Sequence, residues 1–194
     1  GTGLVKLTNG AAGDDFNIIS ILDNGKILFS HHKGDDSDIY SINEDGTDLT
    51  SVIDSDNYDV YRMKLSDNRL LFSRSLDLQY DLYLVNLDGT KEVRLTNAIG
   101  TELAINDITP SGRILFTRVS AGYEILFSVN ANGTNEVQLS SSLENLKYYY
   151  VARSGRVFYK TDLSNIITTV YADGSRRQLL PDVFDEIISI NRYD

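Results

Sequence analysis

The chain has 194 residues, of which 41% are hydrophobic and 24% charged, values that are ordinary for a folded domain and exclude disorder as the default state. It contains no cysteine, which excludes disulfides and thiolate metal sites, and no apolar run reaches the roughly 18 residues of a membrane-spanning helix. The formal charge of -10 repels nucleic acid and favours a basic partner or a cation, so neither nucleic-acid binding nor membrane insertion is expected.

Two sequence markers recur along the chain with the same period. The first is a glycine or asparagine that precedes an apolar run, and it stands at Gly25, Asn68, Gly112 and Gly155. The second is a glycine followed by Thr or Ser, and it stands at Gly46, Gly89, Gly133 and Gly174. Successive copies are 43, 44 and 43 residues apart for the first marker and 43, 44 and 41 for the second. Such a period is typical of propellers and solenoids, and it predicts repeats at approximately 10–53, 54–97, 98–140 and 141–181.

Each repeat contains short apolar or alternating runs separated by Gly, Asn and Asp, which predict four strands. In the second repeat these strands are expected at residues 60–65, 69–73, 81–86 and 92–95. The Asp88-Gly89 turn supplies the positive φ that a tight hairpin requires. A four-stranded unit cannot bury both faces alone, so equivalent units should stack around an axis. The predicted fold is therefore an all-β propeller of four-stranded antiparallel blades.

The two ends of the chain each match a single strand. Residues 1–8 match the fourth strand of a blade, because Leu7-Thr8-Asn9 repeats Leu95-Thr96-Asn97, and residues 187–191 match a first strand. The prediction is thus four full blades with a strand at each terminus, either as one propeller domain over residues 1–194 or as a segment of a larger propeller. Open terminal strands also offer a route to self-association.

The repeat pattern resembles the TolB-like β-propeller repeats, whose blades read Ser-Pro-Asp-Gly, an apolar strand, an Ile-Tyr strand, Asp-Gly-Ser/Thr and Arg-Leu-Thr. The match is clearest at residues 81–90, Asp-Leu-Tyr-Leu-Val-Asn-Leu-Asp-Gly-Thr, with Val93-Arg94-Leu95-Thr96. Residues 38–47 repeat the pattern, and Thr109-Pro110-Ser111-Gly112 is similar to the leading turn. The resemblance implies a propeller fold and a location in the periplasm or outside the cell, and it assigns no catalytic residue.

The longer connections of the meander are predicted to share one end of the fold, opposite the short glycine turns. Together with Asp14 and Asp15 they carry 17 of the 28 acidic residues, so this end should be strongly negative. We expect it to bind a basic protein segment, with tyrosines acting as contact anchors. The predicted contact residues, nearest each other across the first two blades, are Asp35, Asp36, Asp38, Asp54, Asp56, Asp59, Tyr58 and Tyr61.

Calcium is the cation that these carboxylates would suit best, but residues 54–59 lack the closing Glu of an EF-hand loop. No cofactor is therefore predicted, calcium remains a hypothesis, and no metal ligand is assigned. His31 and His32 are the only histidines. Adjacent side chains of a strand point to opposite faces, so a two-histidine metal site is not expected.

The sequence predicts that the chain is not an enzyme. It has no Gly-x-Ser-x-Gly elbow to present a nucleophilic serine. Paired carboxylates for glycoside cleavage stay open, because their separation cannot be read from sequence. The predicted function is a non-catalytic scaffold for protein-protein interaction. The alternatives are a propeller-type polysaccharide lyase or glycosidase, and the gating propeller of a larger peptidase.

Overall fold

The structure, a computed structural model, describes residues 4–76, 79–97, 101–164 and 166–180. Within these ranges the chain forms sixteen strands and no helix, which confirms the predicted all-β class. Accordingly, the described part of the chain has no helix suited to crossing a membrane. The chain divides into two compact units, Gly1–Ala98 and Ile99–Asp194, and each contains eight of the strands.

Each unit consists of two blades, a blade being four consecutive strands that pair antiparallel with their chain neighbours. The first unit holds blade 1, with β1 (Asp14–Ile21), β2 (Ile27–Lys33), β3 (Asp36–Ile42) and β4 (Thr50–Ile53), and blade 2, with β5 (Asp59–Lys64), β6 (Arg69–Leu76), β7 (Gln79–Asn86) and β8 (Val93–Arg94). The second unit holds blade 3, with β9 (Thr101–Ile108), β10 (Ile114–Ser120), β11 (Tyr123–Val129) and β12 (Val137–Gln138), and blade 4, with β13 (Leu146–Val151), β14 (Arg156–Thr161), β15 (Ile167–Tyr171) and β16 (Gln178–Leu180).

The predicted strands of the second repeat agree with β5 to β8 in order and in position. The middle hairpin is longer than predicted, because Ser75 pairs with Tyr80 and Leu76 pairs with Gln79. The fourth strand is shorter than predicted and consists of Val93–Arg94 alone. The two middle strands of blade 2 therefore extend further toward the longer connections of the blade.

The two faces of a blade have different roles in packing. We call the face that carries Phe29 in blade 1, Phe72 in blade 2 and Tyr159 in blade 4 the front face, and the opposite one the back face. Leu28 and Ile39 on the back face of blade 1 share one buried core with Phe72 of blade 2. In the second unit, Leu115, Leu126, Val157 and Tyr159 share another buried core. In both units the front face of a blade therefore packs on the back face of the blade before it.

The Asp88-Gly89 turn of blade 2 lies directly on strand β4 of blade 1. Gly89 has a φ of 78°, a left-handed conformation that favours glycine. A Cβ atom at position 89 would also lie 2.8 Å from the carbonyl oxygen of Ser51. The recurrent glycine of the second marker is therefore required here twice, for its backbone angle and for the close approach of two blades.

The described part of the predicted N-terminal strand is not formed, since residues 4–11 belong to no strand. A strand needs a ladder partner, and no described strand pairs with these residues. The segment nevertheless lies against the Gly46 turn of blade 1, where a Cβ atom would be 3.7 Å from Val5 Cγ1 and 3.8 Å from Leu7 Cδ2. Its contact with the Gly46 turn of blade 1 corresponds to the contact of β4 with the Gly89 turn of blade 2. The predicted C-terminal strand at residues 187–191 lies outside the described residues.

Candidate functional site

The two acidic segments of the first unit lie side by side. One is the hairpin between β2 and β3, and the other is the connection from β4 to β5. Ser37 and Tyr58 form a parallel β-bridge between them, and the Ser37 hydroxyl donates a 2.8 Å hydrogen bond to the carbonyl oxygen of Asp59. Because this bond is buried, the crossing from blade 1 to blade 2 is fixed at the point where the acidic residues meet.

The predicted contact residues divide into two groups by exposure. Asp35, Asp54 and Asp56 are exposed, Asp36 is half-buried, and 37% of Tyr58 is exposed. We call these five residues the acidic rim. Among the described residues no Lys, Arg or His forms a salt bridge with any of the four rim carboxylates, although Lys33 stands opposite Asp36 in the β2–β3 ladder. One buried oxygen of Asp36 has no hydrogen-bond partner in the described part. The rim is therefore a surface of net negative charge.

The remaining three predicted contact residues face inward. Asp38 is only 6% exposed and Asp59 only 1%, so neither offers a surface to a partner. Tyr61 is paired with Phe72 across the sheet and packs against the interblade core. The reason is strand alternation, since Asp59 and Tyr61 lie on the front face of β5, which blade 1 covers.

Asp59 is the centre of a buried ion-pair network. Arg74 Nε lies 2.8 Å from one of its carboxylate oxygens, and the Ser55 hydroxyl donates a 2.8 Å hydrogen bond to the other. Arg74 also binds Glu92, with 2.8 Å between Nη1 and Oε1. Burial raises the pKa of Asp59, while the hydrogen bonds from Arg74 and Ser55 oppose that rise. The network anchors the connection that carries Asp54 and its neighbours.

The guanidinium of Arg74 also stacks on two aromatic rings of the front face. Its central carbon lies 5.2 Å from the ring centre of Phe72 and 4.9 Å from that of Tyr83. Arg118 repeats this arrangement in blade 3, at 5.3 Å from Phe116 and 4.7 Å from Phe127. Sequence reasoning missed these arginines. The available signal was the Phe-Ser/Thr-Arg triplet, which occurs twice at the repeat spacing with a Glu 18 residues later.

Asp38 has no such counter-ion. Its oxygens accept hydrogen bonds from the Ser55 amide at 3.0 Å and the Tyr40 hydroxyl at 3.4 Å, and no described cation pairs with it. Burial raises the pKa of Asp38, and the nearby negative charges of Asp36 and Asp54 raise it further. Burial also raises the pKa of Tyr40 to about 12, with a further contribution from Asp38.

The equivalent position in blade 2, Asp81, is fully neutralised. Arg94 forms a salt bridge with it, and the Thr96 hydroxyl donates a 3.1 Å hydrogen bond to its second oxygen. Thr96 in turn accepts a hydrogen bond from the amide of Leu82. The Arg-Leu-Thr sequence of the repeat is therefore a structural element that secures a buried aspartate.

The two histidines lie on opposite faces of β2, as predicted. His31 stacks on Phe16 with 4.5 Å between ring centres, and its Nε2 atom is 3.3 Å from Asp14 Oδ2. His32 lies 3.0 Å from the Ser30 hydroxyl and stacks against Tyr58 at 5.9 Å. Across the described ranges no three His, Asp or Glu side chains converge on a possible metal position. The calcium hypothesis stays untested.

Four-stranded meanders that pack front face to back face within each unit define the chain as a protein of β-propeller type. No family model and no curated protein matches the sequence. Solved structures do match. A protein described as TolB from Agrobacterium tumefaciens is 19% identical, with a TM-score of 0.54 over 80% of this chain and 61% of its own. The fold of this chain is TolB-like, as the sequence resemblance implied.

Two peptidases are also similar in structure. Dipeptidyl peptidase 4 of Porphyromonas gingivalis is 13% identical, with a TM-score of 0.67 over 92% of this chain and 27% of its own. A puromycin-hydrolyzing peptidase of Mycobacterium tuberculosis is 13% identical, with a TM-score of 0.58 over 90% of this chain and 29% of its own. The chain spans less than two thirds of each of the three structures, and identities this low describe the fold alone.

Proposed function

We propose that the chain is a non-catalytic propeller scaffold that binds a basic protein segment at the acidic rim. The observation that carries this proposal is the placement of four carboxylates without a described counter-ion beside the exposed ring of Tyr58. Clustered charge of one sign steers a partner of the opposite sign and sets its orientation. Tyr58 supplies the apolar contact area that charges alone do not.

Rigid support under the rim favours binding over mere solubility. Asp54 and Asp56 flank Ser55, whose amide and hydroxyl bind the buried Asp38 and Asp59. A partner would then meet the carboxylates in a fixed arrangement, so little conformational entropy is lost on binding. A location in the periplasm or outside the cell belongs to the same proposal and is supported by the TolB-like fold.

A second candidate function is the propeller of a larger peptidase. It is supported by the similarity to dipeptidyl peptidase 4, which covers 92% of this chain at a TM-score of 0.67. In that case the basic partner would be part of a catalytic domain. A polysaccharide lyase or glycosidase stays an alternative, which a screen of glycans for turnover would address.

The experiment is a binding titration of an Arg- and Lys-rich peptide at low salt. The rim variant replaces Asp35, Asp36, Asp54 and Asp56 with Asn. A control variant removes the same charge at the short-turn end, through Asp23→Asn, Glu44→Gln, Asp48→Asn and Asp88→Asn. Each of the four carboxylates would form an ion pair of modest strength with the peptide, so we expect the rim variant to bind about tenfold more weakly.

The control variant should bind within about twofold of the unmodified chain, because it changes the net charge without changing the rim. Thermal unfolding of both variants checks that each is folded. Equal weakening in the two variants would show that net charge alone attracts the peptide, and would contradict a binding site at the rim.

A further inference from the structure

A cleft lies between blade 1 and blade 2 at the end of the first unit that carries the short glycine turns. Its volume is about 400 Å³, and it adjoins a smaller cleft of about 200 Å³ with which it shares four residues. Small-ligand sites have volumes of about 300–1,000 Å³. We call the two together the turn cleft, and the residues of the larger part that matter most are Leu22, Asp23, Asn24, Asn68, Leu87 and Asp88.

Ser41 of β3 lines the smaller part of the turn cleft. The residue is only 2% exposed, and its hydroxyl forms no hydrogen bond with any described residue. Strand alternation places Ser41 on the back face of blade 1 with Ile39, which belongs to the core between the two blades. A buried hydroxyl without a partner is unfavourable, so a ligand that supplies the missing hydrogen bond would gain binding energy here.

The corresponding position of the second unit is closed by the protein itself. Ser128 of blade 3 stands where Ser41 stands in blade 1, and its hydroxyl donates a hydrogen bond to the carbonyl oxygen of Ala172 in blade 4. Arg113, only 8% exposed, donates to the same hydroxyl, with 2.9 Å between Nη2 and Oγ. In this unit the side chains of the repeat therefore satisfy the serine without a ligand.

In the first unit the residues that would close the position are different. Lys26 stands where Arg113 stands, and its ammonium group binds Asp48, with 2.7 Å between Nζ and Oδ2, and the Thr50 hydroxyl at 3.2 Å. It forms no hydrogen bond with Ser41 among the described contacts. Substitution within the repeat thus leaves open in the first unit a position that is filled in the second.

Asn68 adds an amide group to the turn cleft from an unusual backbone position. Its φ is 63°, a left-handed conformation that glycine adopts most readily. The other three blades have glycine at this position, with φ values of 80° to 82°, namely Gly25, Gly112 and Gly155. The Asn68 side chain forms no hydrogen bond with a described residue, so its donors and its acceptor are available to a ligand.

The carboxylates of the turn cleft are already engaged within the chain. Asp23 pairs with Lys64 at 3.0 Å, and Asp67 pairs with Arg69 at 2.8 Å. Asp88 accepts two hydrogen bonds from its own turn, at 2.9 Å and 2.6 Å. These groups can accept further hydrogen bonds, but the ion pairs reduce the attraction that the cleft would have for a cation.

We propose that the turn cleft binds a neutral saccharide. Leu22 and Leu87 supply an apolar surface for the C–H face of a sugar ring. The Ser41 hydroxyl and the Asn68 amide supply both donors and acceptors, as the hydroxyl groups of a sugar require. Because the acidic rim lies at the opposite end of the unit, this binding is independent of the basic partner proposed above.

The test is a titration of the ¹⁵N-labelled chain with glucose, galactose, mannose and maltose, each up to about 50 mM, followed by ¹H–¹⁵N NMR. We expect at least one of these sugars to bind with a dissociation constant on the order of 1 mM. The amide signals that shift should be those of residues 22–26, 41, 67–68 and 86–88.

Two variants test the assignment of the site. Asn68→Gly removes the amide but keeps a residue suited to the backbone angle, and it should bind about tenfold more weakly. Lys26→Arg should weaken binding likewise, because its guanidinium can reach Ser41 as Arg113 reaches Ser128. The matched control is Asn135→Gly, which makes the same change at a φ of 54° in the second unit and should bind like the unmodified chain.

Near-ultraviolet circular dichroism confirms that each variant is folded. The proposal is overturned if none of the four sugars shifts these signals, or if Asn68→Gly binds as tightly as Asn135→Gly. Parallel titrations with calcium chloride and with free arginine address the competing occupant. Shifts of the same signals by either cation, without shifts by any sugar, would show a cation site and would also overturn the proposal.

Discussion

Blade 1 and blade 2 share strand order and packing, but they differ in how their buried polar groups are satisfied. In blade 2, Asp81 binds Arg94 of the fourth strand. In blade 1, the corresponding residues are Asp38 and Ser51, so the aspartate is buried without a counter-ion in the described part. One backbone thus supports both a closed polar network and an open one.

The same contrast occurs at a second position of the front face. Blade 2 has Arg74 stacked on aromatic rings and paired with Glu92. Blade 1 has His31 and Leu49 at these two positions, and the imidazole stacks on a phenylalanine instead. Blade 2 therefore satisfies these charges internally, whereas blade 1 leaves Asp38 without a counter-ion among the described residues. Substitutions within the repeat decide which of the two networks a blade forms.

The largest expected effect comes from breaking the closed network of blade 2. Arg74→Met removes the cation that neutralises the buried Asp59, and an uncompensated buried carboxylate should lower the free energy of unfolding by about 3–5 kcal/mol. Urea denaturation measures the loss. Lys64→Met is the control, because Lys64 pairs with the exposed Asp23 and its removal should cost less than about 1 kcal/mol. Similar losses for both variants would mean that the network contributes little.

A smaller effect is expected where the two blades touch. Gly89→Ala places a methyl group 2.8 Å from the carbonyl oxygen of Ser51, in addition to the strain of a positive φ. Gly25→Ala has the same strain at a φ of 82° but meets nothing within 4 Å. We expect losses of about 3 kcal/mol and about 1 kcal/mol in the free energy of unfolding. Equal losses would show that backbone strain alone causes the loss of stability and that the contact between the blades does not contribute.

Much of the fold was predictable because its turns impose a chemical requirement at fixed spacing. Glycine at positions such as 46 and 89 marks the turn before the fourth strand of a blade, and the strands between the markers follow from alternation. The second left-handed position of the same turns was not predictable, because Asp48, Lys91, Asn135 and Arg176 share no side-chain property. The N-terminal segment was predicted as a strand from its residues, but strand formation depends on a partner that local sequence does not specify.

The candidate site was predictable as a region but not residue by residue. Proximity of the two acidic segments followed from the order of the meander. The burial of the individual acids could not be predicted in the same way. Asp56 lies just before β5 and is exposed, whereas Asp59 is the first residue of β5 and is buried. The ion pair of Asp59 with Arg74 joins residues on neighbouring strands, and local sequence does not distinguish a buried acid from an exposed one. Tyr58 and Tyr61 illustrate the same limit, since only Tyr58 lies on the rim.

The smallest of these effects comes from converting blade 1 into a copy of blade 2. Ser51 is exposed and pairs with Tyr40 as Arg94 pairs with Tyr83, so Ser51→Arg should bring a guanidinium to Asp38. A charge-assisted hydrogen bond at this partly exposed position should raise the free energy of unfolding at pH 7 by about 1 kcal/mol. Urea denaturation of the variant and the unmodified chain measures the gain.

The pH dependence of that gain identifies its origin. Burial and neighbouring carboxylates raise the pKa of Asp38, so its contribution to stability is present below the unfolded pKa and is lost as pH rises through the folded pKa. An arginine at position 51 lowers the folded pKa and removes this loss. The gain should therefore be smallest at low pH, where Asp38 becomes protonated, and should grow as the pH rises toward 7. Adding Asp38→Asn should abolish the pH dependence, and a gain independent of pH would show that the introduced guanidinium stabilises the blade without reaching Asp38.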